Sequence, residues 1–184
     1  MKKVFAAFAL LLLLIAGGAS AQVNPYFQVF FPHPDNPGDP YFWQAHVNCT
    51  PGQMDSLYVV GKNMNAWVIG AEYQVLYPSP NIMWMADIYT PTTTIGNTAI
   101  GISEVWQTPL NGWAPVLLAS ALYMCNDCPP DTPILVGPNP NTGFIGYSDI
   151  NTTLYPAIGM VSTFCPLTVP TEDTTWGQVK ALFE

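Results

Sequence analysis

Proline and glycine constrain this chain more than any other feature. Its 19 prolines and 14 glycines cluster between short apolar runs, as in Tyr77-Pro78-Ser79-Pro80-Asn81, Thr108-Pro109-Leu110-Asn111-Gly112 and Val136-Gly137-Pro138-Asn139-Pro140-Asn141-Thr142-Gly143. Proline breaks a helix by removing a donor and clashing with the preceding turn, whereas short strands joined by turns require such punctuation. The pattern predicts strands near Phe27–Phe31, Trp43–Asn48, Ser56–Gly61, Trp67–Tyr77, Ile82–Tyr89, Ala99–Trp106, Val116–Met124, Ile134–Val136, Phe144–Tyr147 and Ala157–Phe164. Ala71, Tyr73, Val75 and Tyr77 alternate with Glu72 and Gln74, the period of two expected of a strand with one buried face. Ten short strands without intervening helices favour antiparallel pairing in two packed sheets, an immunoglobulin-like all-β sandwich.

The two ends of the chain read differently. Lys2 and Lys3, the apolar run Val4–Ile15 and Ala19-Ser20-Ala21 have the order of an export signal, so residues 1–21 are expected to be cleaved after Ala21. The run is shorter than the roughly 20 apolar residues a membrane span needs, and no later stretch reaches that length. Export places the protein outside the cytoplasm: secreted, at the cell surface or in the periplasm. Residues 22–165 are expected to form one sandwich domain, and residues 166–184 a linker and short C-terminal helix. In that tail Thr175 and Gln178 fit a capping box, while Trp176, Val179, Leu182 and Phe183 recur at helical spacing. A helix of about two turns does not persist alone in water, so it docks on its own domain or serves as a recognition tag.

Charge excludes several functions. The formal charge of −8 becomes −10 once Lys2 and Lys3 are removed, leaving only Lys62 and Lys180 against 12 acidic residues, with no arginine. Binding to nucleic acid requires cations that neutralise phosphates, so nucleic acid and anionic lipid are not expected partners. At 49% hydrophobic and 13% aromatic residues, the chain has the apolar area needed to fold despite its acidity.

Four cysteines, Cys49, Cys125, Cys128 and Cys165, are expected to form disulfides in an oxidising compartment, and the favoured pairing is Cys125–Cys128 with Cys49–Cys165. Four thiolates on one zinc are the alternative, although one Cys-x-x-Cys pair stands where two are usual. Cys125-Asn126-Asp127-Cys128 runs into Pro129-Pro130 without a helix N-terminus to lower a thiol pKa, which disfavours a catalytic dithiol. His33 precedes Pro34 in a proline-rich loop and His46 has no partner motif; no nucleophile elbow, zincin motif or phosphate loop occurs. Glu72, Glu104 and Asp87 lie on expected strands and read as outward-facing solubilising groups, not as a glycosidase pair. Asp35-Asn36-Pro37-Gly38-Asp39 lacks the spacing of a calcium loop and reads as a turn. No cofactor or metal is expected. Among six tryptophans, Trp113, flanked by Gly112 and Ala114, is the best candidate for an exposed binding ring, followed by Trp43 and Trp67.

The stretch Leu57–Pro78, an apolar strand, a polar turn and an aromatic-alternating strand ending in Tyr77-Pro78, resembles the opening of cohesin-like domains. Gly101-Ile102-Ser103 and Val116–Met124 sit where that family places its next strands. With the terminal Trp176-Gly177-Gln178-Val179-Lys180-Ala181-Leu182-Phe183, the chain resembles secreted bacterial proteins with a cohesin-like sandwich and a short tail. The resemblance implies a non-enzymatic module for protein contact or adhesion, with an extracellular or surface protein as partner. It carries over no binding residue. The alternative is a carbohydrate-binding module that holds a polysaccharide on exposed aromatic rings.

Overall fold

A computed structural model describes residues 23–32, 44–89, 91 and 93–167. The expected signal peptide, His33, the Asp35–Asp39 loop, Trp43 and the tail residues Trp176, Val179, Leu182 and Phe183 lie outside the described residues. Within them the fold is all-β, without a helix. The strands are β1 (Tyr26–Phe30), β2 (His46–Val47), β3 (Met54–Lys62), β4 (Trp67–Leu76), β5 (Ile82–Tyr89), β6 (Thr93–Asn97), β7 (Gly101–Asn111), β8 (Val116–Cys125), β9 (Thr132–Gly137), β10 (Gly146–Asp149), β11 (Leu154–Pro156), β12 (Ile158–Gly159) and β13 (Val161–Phe164).

One sheet has the order β12-β1-β3-β8-β5; the other runs β11-β10-β4-β9-β13-β2, with β7 also paired to β4 and β6 to β7. Most pairings are antiparallel, as the short connections dictate. Two are parallel, β1 with β12 and β13 with β2, a feature that local turn signals do not encode.

Both sheets contribute alternate side chains to the core. Phe27, Val29, Leu57, Val59 and Leu118 of the first sheet and Tyr73, Val75, Ile102, Ile134 and Val136 of the second are fully or almost fully buried. Each large apolar side chain removed from water stabilises the fold by about 1.5–3 kcal/mol. Phe164 packs between Phe31 and Tyr123, with ring centroids 4.8 and 5.1 Å away. That cluster ties β13 of the second sheet to β8 of the first.

Three sequence expectations need correction. The turn expected at Thr108–Gly112 begins later, because β7 continues to Asn111. Val68 pairs with Leu110 and Gly70 with Val105, so residues 106–109 oppose a single β4 residue and bulge out. The pairing with β6 ends at Val105, so Pro109 sits where no donor is required. The expected strand Ala157–Phe164 is two strands, because the chain changes sheets at Met160: β12 pairs with β1 and β13 with β9. A Cβ on Gly159 would collide with the Val136 carbonyl oxygen, so only glycine allows the two sheets to approach at this crossing. Finally, β6 and β11 appear in segments whose Thr, Gly, Asn and Pro content signals loops.

Candidate interaction surface

The outward face of β6, β7, β4, β10 and β11 has a shape set by its cross-strand register. Thr93, Val105, Gly70, Ser148 and Leu154 form one row across five strands; Ile95, Ser103, Glu72, Gly146 and Pro156 form the next. Gly70 lies at the centre of the first row, and in the second Ser103 and Gly146 flank Glu72, while Ile95, Leu154 and Pro156 stand toward the rim. The result is a shallow trough of about 200 Å³. Its floor includes Gly70 and Gly146, and its walls carry Ile95, Val105 and Leu154, at 74%, 50% and 66% exposure. Glu72 is its acid and accepts a 2.5 Å hydrogen bond from the Thr142 hydroxyl. Glu72 therefore faces outward, as the alternation in β4 predicts.

At the start of β4, Trp67 meets Trp113 edge to face, with centroids 5.8 Å apart and planes at 77°. Both rings are about half exposed, and exposed Ile150 lies beside them, donating its amide to the Trp67 carbonyl at 3.0 Å. The turn between β7 and β8 makes this pair. Gly112 donates to the Ala66 carbonyl at 2.9 Å and accepts from the Asn65 amide at 3.1 Å, while the Asn111 side chain accepts from the Trp113 amide. A Cβ on Gly112 would stand 2.6 Å from the Ala66 oxygen, so the close approach that seats Trp113 requires glycine. Rings nearly perpendicular to each other share no plane on which a sugar face could stack across both.

The edge strand β5 also exposes apolar side chains, Met83, Met85, Ile88 and Tyr89. Its register against β8 slips twice, between Trp84 and Ala86 and between Asp87 and Tyr89. Such bulges spoil the regular edge that another chain would need for strand addition.

Two of the acids expected at the surface are directed elsewhere. Glu104 is 1% exposed, because Ile102, Glu104 and Trp106 form the inward set of β7. The Tyr73 hydroxyl faces this carboxyl, and neither group has another partner; the buried Trp106 indole N–H is unpaired. Burial holds the Glu104 carboxyl well above the ordinary carboxylate range, against the facing Tyr73 hydroxyl, which lowers it, and with the negative charge of Asp87, which raises it. Asp87 is half-buried and acts as a clamp, accepting from Trp84 Nε1 at 3.0 Å, the Thr98 amide at 2.9 Å and the Thr98 hydroxyl at 2.6 Å. The alternation around residues 99–106 is the one signal that could have placed Glu104 inside; its charge argued the other way.

The cysteines also depart from the expected pairing. The bonds are Cys49–Cys125 and Cys128–Cys165, with Cα atoms 6.2 and 5.9 Å apart. Cys125 ends β8 with its sulfur turned into the core, and the chain then runs on, without closing a tight turn, through Asn126 and Asp127, whose amides donate to the Asn81 carbonyl. Cys125 therefore meets Cys49, in the segment whose Gly52 and Gln53 bond its main chain, and leaves Cys128 to Cys165.

No family model matches this sequence, and none of the curated proteins does. Solved structures do. The third ScaB cohesin of R. flavefaciens, determined in complex with a group 1 dockerin, superposes with a TM-score of 0.53 at 12% identity, covering 79% of this chain and 96% of that one. A cohesin module from the family 33 glycoside hydrolase of Clostridium perfringens gives 0.50 at 7% identity, covering 78% and 98%. The fold is cohesin-like. At such identities the likeness concerns architecture alone, and the cohesin-like sandwich spans nearly the whole of each neighbouring module.

Proposed function

We propose that this chain is an exported, non-catalytic cohesin-like module that holds a folded protein partner on the β6-β7-β4-β10-β11 face. The carrying observation is the trough, whose small-residue floor and apolar walls offer area to a protuberant partner element, with Glu72, bonded to Thr142, as its outward-facing acid. A protein as partner accords with the ScaB cohesin, whose structure is of its complex with a group 1 dockerin. The acidic surface suits a partner with few anionic groups. Residues 1–21 act as the export signal and residues 166–184 as a tail that docks or is recognised, so the sandwich of residues 22–165 works at the cell surface or beyond it.

The test has two parts. N-terminal sequencing of protein from the native envelope and medium is expected to begin at Gln22; a chain retained in the cytoplasm beginning at Met1 contradicts export. Val105→Arg places a cation on the trough wall without touching the core and is expected to abolish partner retention on an affinity column while leaving the melting temperature unchanged. Retention equal to the native chain removes the trough from the proposal.

A further inference from the structure

The two disulfides are not separate staples. Cys49 Sγ lies 2.7 Å from Cys128 Sγ and 3.9 Å from Cys165 Sγ, and the sulfurs of Cys49, Cys125 and Cys128 all fall within 4.8 Å of one another. Four cysteines from four segments thus converge on one point at the end of the sandwich: the loop after β2, the end of β8, the loop beyond it and the residue after β13.

The main chain, as well as the sulfur bonds, brings them there. Cys125 donates to the Gln53 carbonyl at 2.9 Å and accepts from the Gly52 amide at 2.7 Å. Cys165 donates to the Val47 carbonyl at 2.7 Å and accepts from the Asp131 amide at 2.9 Å. These bonds are independent of the oxidation state of the sulfurs. The aromatic cluster of Phe31, Tyr123 and Phe164 packs beneath, with Phe164 next to Cys165 and Tyr123 two residues before Cys125.

We propose that in the reduced chain these four cysteines form a closed, all-thiolate site for one soft divalent cation, zinc above all. A tetrahedral site with Zn–S of about 2.3 Å sets its sulfurs about 3.8 Å apart. The Cys49–Cys165 separation already meets that spacing, and Cys49 and Cys128 need to part by roughly 1 Å to reach it. The single Cys-x-x-Cys of the sequence supplies two ligands, and the fold supplies the other two from residues 76 and 37 positions away from their disulfide partners. This pairing across segments is what the sequence spacing concealed.

The chemistry balances simply. Each disulfide takes two electrons and two protons from a dithiol reductant, which leaves as its own disulfide, so two equivalents yield four thiols. A phosphine and water supply the same electrons and protons, the phosphine leaving as its oxide. Each thiol releases its proton as its sulfur bonds the metal, so four protons leave per cation bound and affinity rises with pH.

The test uses the full-length chain, fully reduced by a phosphine under anaerobic conditions and titrated with Co2+ and then Zn2+. One equivalent of cobalt is expected to give the intense visible bands of tetrahedral cobalt with thiolate charge-transfer in the near ultraviolet, and one equivalent of zinc to erase them. Cys49→Ser and Cys165→Ser are each expected to lose the four-thiolate spectrum. Near-ultraviolet circular dichroism of each reduced, metal-free chain shows whether the aromatic core persists. A reduced chain that binds no cobalt, folded or unfolded, overturns the proposal. So does a spectrum unchanged in Cys49→Ser or Cys165→Ser.

Discussion

Glu104 shows how one residue can set the pH response of the whole fold. Its carboxyl is buried, facing the Tyr73 hydroxyl on β4 and within the field of Asp87 on β5, and burial outweighs the Tyr73 contact, so the folded protein keeps it protonated above its ordinary value of 4.5. The stabilisation from holding that proton is fully present below the unfolded-state pKa and is lost as pH rises through the raised folded value. Glu104→Gln is therefore expected to match the native chain near pH 4 and to exceed it increasingly toward pH 8, measured as melting temperature against pH. A difference independent of pH would mean that Glu104 is ionised in the fold. Gly112 makes a second case at this scale. Gly112→Ala drives a methyl toward the Ala66 carbonyl, and denaturant titration is expected to show a loss of about 1–3 kcal/mol, with the exposed Trp67–Trp113 contact altered in fluorescence. Neither residue was assigned its role by sequence: a charge reads as surface, and glycine beside asparagine reads only as a turn.

Among the elements, β7 separates what periodicity can reveal from what it cannot. The alternation in β4 identified its buried face because residues 70–76 pair in register, with β7 over Gly70–Tyr73 and with β9 over Gln74–Leu76. In β7 four residues oppose one, and a proline inside the bulge imitates a loop. Pro109 donates to no ladder, so Pro109→Ala is expected to change stability by no more than about 0.5 kcal/mol. Leu57→Ala, on a fully buried position of β3, is expected to cost about 2–5 kcal/mol in the same denaturant assay. Equal effects would place Pro109 in the core of the fold. Strands β6 and β11 escaped notice because they are short and lie among Thr, Asn, Gly and Pro, and their partners, not their own composition, hold them extended. Yet they carry Ile95 and Leu154, two of the trough walls. The candidate surface was thus only half legible: Glu72 and Trp67 could be placed on exposed faces, whereas the trough exists only once five strands are in register.

At the scale of the molecule, the all-β class followed from proline and glycine punctuation, and the resemblance carried by Leu57–Pro78 agrees with the cohesin-like superposition. Disulfide connectivity was not accessible in the same way, because which cysteines meet depends on where β2, β8 and β13 end in space. Non-reducing peptide mapping is expected to recover the Cys49–Cys125 and Cys128–Cys165 linkages, and removing the first by paired serine substitution is expected to cost about 2–5 kcal/mol. The central claim concerns one face of the sandwich. A photoreactive amino acid placed at residue 105, in the trough, or at residue 83, on the opposite sheet, and irradiated on intact cells of the native organism tests it most directly. The account predicts a discrete protein adduct from residue 105 and none from residue 83; an adduct from residue 83 alone would contradict it.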